Sequence, residues 1–420
     1  MLTQIEGSRA VAEAVGLCRP EVVCAYPISP QTHIIEAVGA MVKAGRLGSC
    51  EFINVESEFA AMSVSIGASA MGARAYTATA SQGLLFMTEA VYNAAGLGLP
   101  IVMTVANRAI GAPINIWNDH SDAMSVRDSG WIQLFAETNQ EAADLHILAF
   151  RLAEELSVPV MVCVDGFVLT HAVERVDLPE QEQVDSFLPP FEPRQVLDPD
   201  DPVTIGAMVG PEAFTEVRYL AHALQLQALA RIPSLAAEFA AAFGRRSGGL
   251  VHPYRMEDAE TVVLALGSVL GTLKDAVDSL REEGRRLGVL GVSTFRPFPA
   301  AAIAEALSGA RRVVVIEKAF SIGGHGILGA DVALALGRSG RQGPRVHDVV
   351  AGLGGRPITE ASLRRMLAEA SEGRLPDFTF LDLDRGLVER ELRRMDATRR
   401  SGPSAENLLR DLGVASTRIG

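Results

Sequence analysis

Cysteine is scarce in this 420-residue chain: Cys18, Cys24, Cys50 and Cys163 form no CxxC pair and meet no histidine at zinc spacing. An iron–sulfur cluster needs about four cysteines at close spacing, so no cluster of the chain's own is expected. The thiols read instead as small buried hydrophobes. No apolar run approaches the roughly 18 residues of a spanning helix, which argues against a transmembrane reading. The opening MLTQIEGSRAVAEAV lacks the basic-then-apolar profile of a signal peptide, so a cytoplasmic protein is expected. Positive charge is in the minority: 38 Lys and Arg against 51 Asp and Glu give a net charge of −13. That balance argues against a nucleic-acid partner, which needs a basic face to meet phosphates. There is no Walker-type loop, and no GxGxxG follows a first strand, so neither familiar route to nucleotide binding is supported.

What is present is an ordinary globular composition, 48% hydrophobic and 21% charged, in a chain long enough for two or three domains. Short apolar runs alternate with helical patterns from the start. Strands are expected at 22–26, 52–55, 73–80, 100–106 and 158–164, with helices at 8–17, 32–43, 57–71, 84–95 and 141–156. This alternation predicts an α/β fold, a mostly parallel sheet with helices on both faces. Between about 172 and 202 the periodicity stops in a stretch rich in Pro, Asp and Glu, which reads as a long crossing or linker. Helical sequence follows, interrupted at Pro233 and ending near Gly248-Gly249. A second α/β unit then alternates strands at 261–266, 287–292, 313–317 and 345–350 with helices at 270–283, 300–307 and 326–336. The domains expected are therefore 1–250, 251–376 and a charged, partly helical tail at 377–420, an arm suited to embracing a partner.

In parallel α/β sheets, ligands gather in the loops that leave the carboxyl ends of strands. Four such loops hold unusual polar residues. In Tyr26-Pro27-Ile28-Ser29-Pro30-Gln31-Thr32, prolines stiffen the strand exit and leave the Ser29 hydroxyl free to donate; a turn with Thr32 as N-cap explains the same residues. Glu56-Ser57-Glu58 opens a helix of very small residues, where an acidic side chain suits the dipole. Thr79-Ala80-Ser81-Gln82-Gly83 is a strand end whose amides and hydroxyls could receive a ligand or simply turn the chain. Finally, Arg108 directly follows a near-wholly apolar strand, and a buried guanidinium wants a carboxylate. Glu58 or a substrate could be that carboxylate, and by itself an internal ion pair explains it best. His325, in Gly323-Gly324-His325-Gly326, reads as an ordinary loop histidine.

Together these motifs resemble a known family. YPISPQT, ESEFAA, TATASQGL, NRAIGAPINIWNDHSD and SGWIQLFAE are similar to the α chain of pyruvate and other 2-oxoacid:ferredoxin oxidoreductases. The likeness continues through GSVLGTLKDAV, FRPFP and EKAFSIGGHG to AGLGGRPIT and covers about nine-tenths of the chain.

The resemblance implies a pyrimidine-binding thiamine-diphosphate domain followed by a transketolase-C-terminal-like domain. It implies Glu58 as the carboxyl group that activates the cofactor, with Ile28, Ser81 and Gln82 also against it. Arg108 would grip the substrate carboxylate beside Ser29, which stands where many relatives have Thr. The family's Mg²⁺-diphosphate motif, GDG, is missing; Val164-Asp165-Gly166 is the nearest sequence and lacks the first Gly. The family places that motif, Mg²⁺ and [4Fe-4S] clusters on partner chains of β, γ and δ type, with coenzyme A as acyl acceptor and ferredoxin or an NAD-linked flavoprotein taking electrons. Pyruvate oxidation to acetyl-CoA is the activity implied, with phenylglyoxylate to benzoyl-CoA as the alternative substrate. A non-catalytic scaffold chain is the alternative of another class.

Overall fold

The computed structural model describes residues 2–338, 343–397 and 402–414. A ribbon comes first: β1 (Leu2–Glu6) leads into α1 (Gly7–Leu17) and later pairs antiparallel with β8 (Val173–Asp177). Between them lie β2 (Val22–Ala25), α2 (Thr32–Lys43), β3 (Glu51–Asn54), α3 (Glu58–Ala70), β4 (Ala75–Thr79), α4 (Ser81–Phe86) and α5 (Thr88–Gly96). They are followed by β5 (Val102–Asn107), α6 (Ser121–Ser125), β6 (Ile132–Phe135), α7 (Asn139–Leu156) and β7 (Val160–Asp165). The central strands β4, β5 and β7 are buried along their whole length, as continuous Val/Ala/Met/Thr runs require when helices cover both faces.

The stretch expected as a long ordered crossing or linker contains β8 and α8 (Gln181–Phe187), whose Phe187 is buried under α9 (Phe214–Phe243). Pro233 does not interrupt α9. Ala228, Ile232, Leu235 and Phe239 form a buried stripe on both sides of the proline, and packing against α7 outweighs one missing backbone bond.

The second unit runs β9 (Val251–Tyr254), β10 (Thr261–Ala265), α10 (Val269–Glu282), β11 (Leu287–Val292), β12 (Thr294–Arg296), α11 (Ala300–Ala306) and β13 (Arg312–Glu317). It ends with α12 (Ile327–Arg338), β14 (Arg345–Val350), α13 (Glu360–Ser371) and β15 (Phe378–Phe380). The charged tail holds α14 (Arg385–Ala397) and α15 (Ser404–Asp411).

Two large sheets result. One has the order β12-β6-β7-β5-β4-β2-β3, parallel except for β12, which crosses from the second unit to pair antiparallel with β6. The other has the order β15-β14-β13-β10-β11-β9, parallel except for β9. In each, the first parallel strand has its successor on one side and a later strand on the other, so each sheet has a topological switch point. These are the carboxyl ends of β2/β4 and of β10/β13. One apolar core runs between the units, uniting Met62, Met103 and Phe135 with Leu264, Phe295 and Val315.

Candidate active site

The β2/β4 switch point is where the sequence-derived residues collect. Ser57 caps α3, its hydroxyl accepting from the Ala60 amide at 3.2 Å, and so fixes Glu58 as the first helical residue. Glu58 is 7% exposed, and its carboxylate accepts no hydrogen bond among the described residues. It lies against Gly83 of α4: a Cβ there would sit 2.7 Å from Glu58 Oε1 and 2.6 Å from Thr79 Oγ1. Glycine is required for this close approach. Thr79 Oγ1 is itself buried without a partner.

Ser81 begins α4 with a positive φ of 51° and is fully buried. Its amide donates to Asp122 Oδ2 at 3.0 Å and its hydroxyl to the Ala109 carbonyl at 2.5 Å, while Gln82 Nε2 reaches the Gly111 carbonyl at 3.4 Å. Asp122, on α6, collects four donors: Ser81 N, Arg108 N (2.9 Å), Asn107 Nδ2 (2.8 Å) and Ala123 N (2.7 Å). Burial pushes its carboxyl up to about 7, against the pull of those donors. One carboxylate thus ties the ends of β4 and β5 together and sets the backbone of Arg108.

Arg108 is 7% exposed, and no ion pair engages its guanidinium among the described residues. Neither the expected internal ion pair nor a contact to Glu58 forms; Arg108 Nη1 donates to the Ser29 carbonyl at 2.9 Å and Nε to the Asn115 carbonyl at 3.3 Å. Burial lowers its pKa, against the pull of the nearby Asp122 carboxylate. Ser29 is exposed, and its hydroxyl has no partner among the described residues. Beside it, the Ile28 amide donates to Gln31 Oε1 at 3.3 Å. Thr32 is not the N-cap of α2 as expected; Gln31 occupies that position, without a side-chain cap. Its buried amide instead reaches 47 residues along the chain to the Ala78 carbonyl at 2.7 Å, holding the Ser29 loop to the end of β4.

The sequence reading did not single out Gln31, Gly83 or Asp122 as site residues. Nothing local marks Gln31, whereas the acid one position into a helix after His120-Ser121 was a signal available for Asp122. The GDG-like Val164-Asp165-Gly166 is otherwise engaged. Asp165 Oδ1 accepts from His120 at 2.6 Å and Oδ2 from Lys318 at 2.6 Å, and a Cβ on Gly166 would strike the Asn107 carbonyl and Pro30. His325 is exposed, its ring facing the Gly326 carbonyl at 3.0 Å. All four cysteines are free and buried.

Large apolar side chains are exposed on the same loops: Tyr26, Phe59 beside Glu58, Phe86 on α4, and Ile114 and Trp117 beyond Arg108. Among the described residues, no helix is long and apolar enough to cross a membrane.

A family model described as pyruvate flavodoxin/ferredoxin oxidoreductase, thiamine diP-bdg, matches residues 13–236. A second, pyruvate:ferredoxin oxidoreductase core domain II, matches residues 259–363. The pyruvate synthase subunit PorA of Methanosarcina barkeri is 48% identical over 391 residues, 91% of this chain and 97% of that protein. The corresponding PorA of Thermotoga maritima is 47% identical over 378 residues, 88% and 95% of the two chains. The ketoisovalerate oxidoreductase subunit VorA of Pyrococcus horikoshii is 41% identical over 356 residues, 84% and 90%. In fold, the chain is similar to the 2-oxoglutarate:ferredoxin oxidoreductase from Magnetococcus marinus, at a TM-score of 0.68 and 19% identity. That likeness covers 88% of this chain and 65% of the other.

Proposed function

The chain belongs to the pyruvate:ferredoxin oxidoreductase family, and from that premise we propose that it is the substrate-facing subunit of a multi-subunit enzyme converting pyruvate to acetyl-CoA and CO2. The observation that carries the reading is two buried groups at one switch point left without partners among the described residues: Glu58 without a hydrogen bond to its carboxyl group and Arg108 without a carboxylate. Buried charges are normally paired, so each is built for something that arrives later.

The residues fit the ring end of thiamine diphosphate. The unpartnered Glu58 carboxyl packs directly against Gly83, where a Cβ would strike it, and among the described residues nothing donates a hydrogen bond to it. They do not fit the diphosphate end, because Asp165 is held by His120 and Lys318. We place that end, with its Mg²⁺, and the [4Fe-4S] clusters on partner chains of β, γ and δ type. When bound, the cofactor supplies an electron sink for decarboxylation. Glu58, buried against Gly83, would hold the cofactor's ring end through its carboxyl group and would hold or give up a proton there. Ile28, Ser81 and Gln82 shape the wall around it. Arg108 grips the 2-oxoacid carboxylate in a bidentate pair, its fork aimed by Ser29 and Asn115, and the free Ser29 hydroxyl meets the substrate.

The exposed Tyr26, Phe59, Phe86, Ile114 and Trp117 support a partner chain closing over this face. We divide the chain into a cofactor-facing unit, 1–250, a second unit, 251–376, and a tail, 377–420. Coenzyme A takes the acyl group, and ferredoxin or an NAD-linked flavoprotein takes the electrons. We place the complex in the cytoplasm.

The test is to purify the complex with its native partners and assay CoA-dependent acceptor reduction with pyruvate, 2-ketoisovalerate, 2-oxoglutarate and phenylglyoxylate. Pyruvate is expected to give the highest kcat/KM. A preference for 2-ketoisovalerate or phenylglyoxylate would overturn the substrate assignment, and no turnover with any of them would return the scaffold reading.

A further inference from the structure

The second sheet has its own switch point, and a residue of the first sheet fills it. Asp165 ends β7 and projects between Ser268, which follows β10, and Lys318, which follows β13. Its Oδ2 accepts from the Ser268 amide at 3.0 Å and from Lys318 Nζ at 2.6 Å, and its Oδ1 pairs with His120 Nε2 at 2.6 Å. Lys318, Asp165 and His120 are each at least nine-tenths buried. A Cβ on Gly267, whose φ is +79°, would meet both the Asp165 carboxylate and the His120 ring, so the turn after β10 is shaped to let them in. Burial opposes charge on Asp165, yet Lys318 and His120 hold its carboxyl well below the usual range.

The same lysine reaches the loop that carries Arg108. Lys318 Nζ donates to Asn118 Oδ1 at 3.0 Å, its carbonyl accepts from the His120 amide at 2.9 Å, and Asn118 Nδ2 reaches the Asn107 carbonyl at 3.4 Å. Nearby, the Gly355 amide donates to the Asn118 carbonyl at 2.7 Å and Asn115 Nδ2 to the Gly354 carbonyl at 3.1 Å. Asn115 is the residue whose carbonyl orients Arg108 Nε. The loop from Arg108 to Asp122 is therefore fixed at its root by Asp122 and at its middle by the second unit.

We propose that Lys318 is a positioning residue for substrate binding, acting across the junction between the units through Asn118 and Asp165 to hold the Arg108 loop. This rests on the reading of Arg108 as the carboxylate-binding group. Two buried bonds from one ammonium to residues of the other unit, at 2.6 and 3.0 Å, fix the loop in a way that a solvated ion pair cannot. A small shift of a substrate-orienting group costs far more in catalysis than in fold stability.

The test uses the assembled complex with Lys318→Met, Arg108→Ala and the double variant, measuring kcat/KM for the 2-oxoacid and KM for coenzyme A. The expected result for K318M is a loss of about 10- to 100-fold in 2-oxoacid kcat/KM, with the coenzyme A KM unmoved. In the Arg108→Ala background, K318M is expected to add nothing, because the group it positions is gone. Losses that multiply in the double variant, or equal changes for both substrates, would overturn the proposal. If R108A is impaired while K318M is normal, the inference alone fails. If R108A itself leaves 2-oxoacid kinetics unchanged, the functional reading falls and takes the inference with it. Should K318M not assemble, Asn118→Ala carries the same test: a smaller loss confined to the 2-oxoacid supports the proposal, and unchanged kinetics overturn it.

Discussion

The two sheets each have a switch point beside their first parallel strand and differ in what they do with the charges at their carboxyl edges. At the β2/β4 edge, Glu58 and Arg108 are buried without an ion-pair partner among the described residues, and a glycine lets Glu58 pack against its backbone. At the β10/β13 edge the buried lysine is answered, and two buried acids, Glu317 and Asp348, lie against each other and take backbone amides, with Asp348 Oδ1 left without a hydrogen-bond partner among the described residues. Lys318 meets Asp165, and Glu317 accepts from the Ile327, Leu328 and Gly329 amides at 2.7–2.9 Å at the start of α12. Asp348 takes the Gly326 amide beside it at 2.7 Å. Gly324, Gly326 and Gly329 even reproduce a GxGxxG spacing, but a Cβ on Gly326 would strike both carboxylates. Those glycines admit the protein's own acids where a dinucleotide fold would admit a pyrophosphate. The lesson is that a switch point marks where a ligand fits geometrically, and a buried cation left without a carboxylate marks which one is kept for a ligand.

The strongest attack on this contrast is Glu58→Ala. It should lower turnover of the assembled complex by about 10²- to 10⁴-fold while thiamine diphosphate stays bound through partner chains, as equilibrium binding would show. Wild-type turnover would refute the role given to Glu58. Gly83→Ala should come next, at about tenfold or more in kcat. The added methyl must displace the Glu58 carboxyl, and far-UV circular dichroism should be unchanged. An unaffected kcat would mean that the space beside Glu58 is slack rather than reserved.

The smallest effect belongs to the second sheet. Burial first, and then the charge of Asp348, raise the Glu317 carboxyl to about 8. Since the folded pKa lies above the usual 4.5, the stability contributed is full below about pH 4.5 and is lost as pH rises toward 8. Asp348→Asn removes the like charge and offers Glu317 an N–H, so the variant should be more stable than the parent by about 1–2 kcal/mol at pH 8–9. The gap should close near pH 5. Thermal unfolding of the complex across that range checks it, and parallel curves would show that the two acids do not interact.

Much of the site was legible because its residues sit where strands end, and strand ends are set by local pattern. Ser29, Glu58, Ser81 and Arg108 each follow a short apolar run, and the resemblance assigned their chemistry. The structure brings these residues to one edge. Less legible were the groups acting at long range: Gln31 reaching 47 residues to Ala78, and Lys318 reaching 153 residues to Asp165. Their neighbours in sequence say nothing of their partners in space. The expected break at Pro233 failed for the same reason, since a buried stripe on α9, packed against α7, overrode a local propensity.

By itself, the sequence determined the alternation of strand and helix, the absence of cluster-binding cysteines and the loops in which polar residues collect, because each is a matter of periodicity or composition. Only the tertiary structure decided which charges are answered. Whether Arg108 meets a carboxylate, whether Asp165 is free for a metal and whether Gly83 clears space for Glu58 depend on residues brought together from distant parts of the chain. Burial then makes each of those meetings, or its absence, energetically decisive.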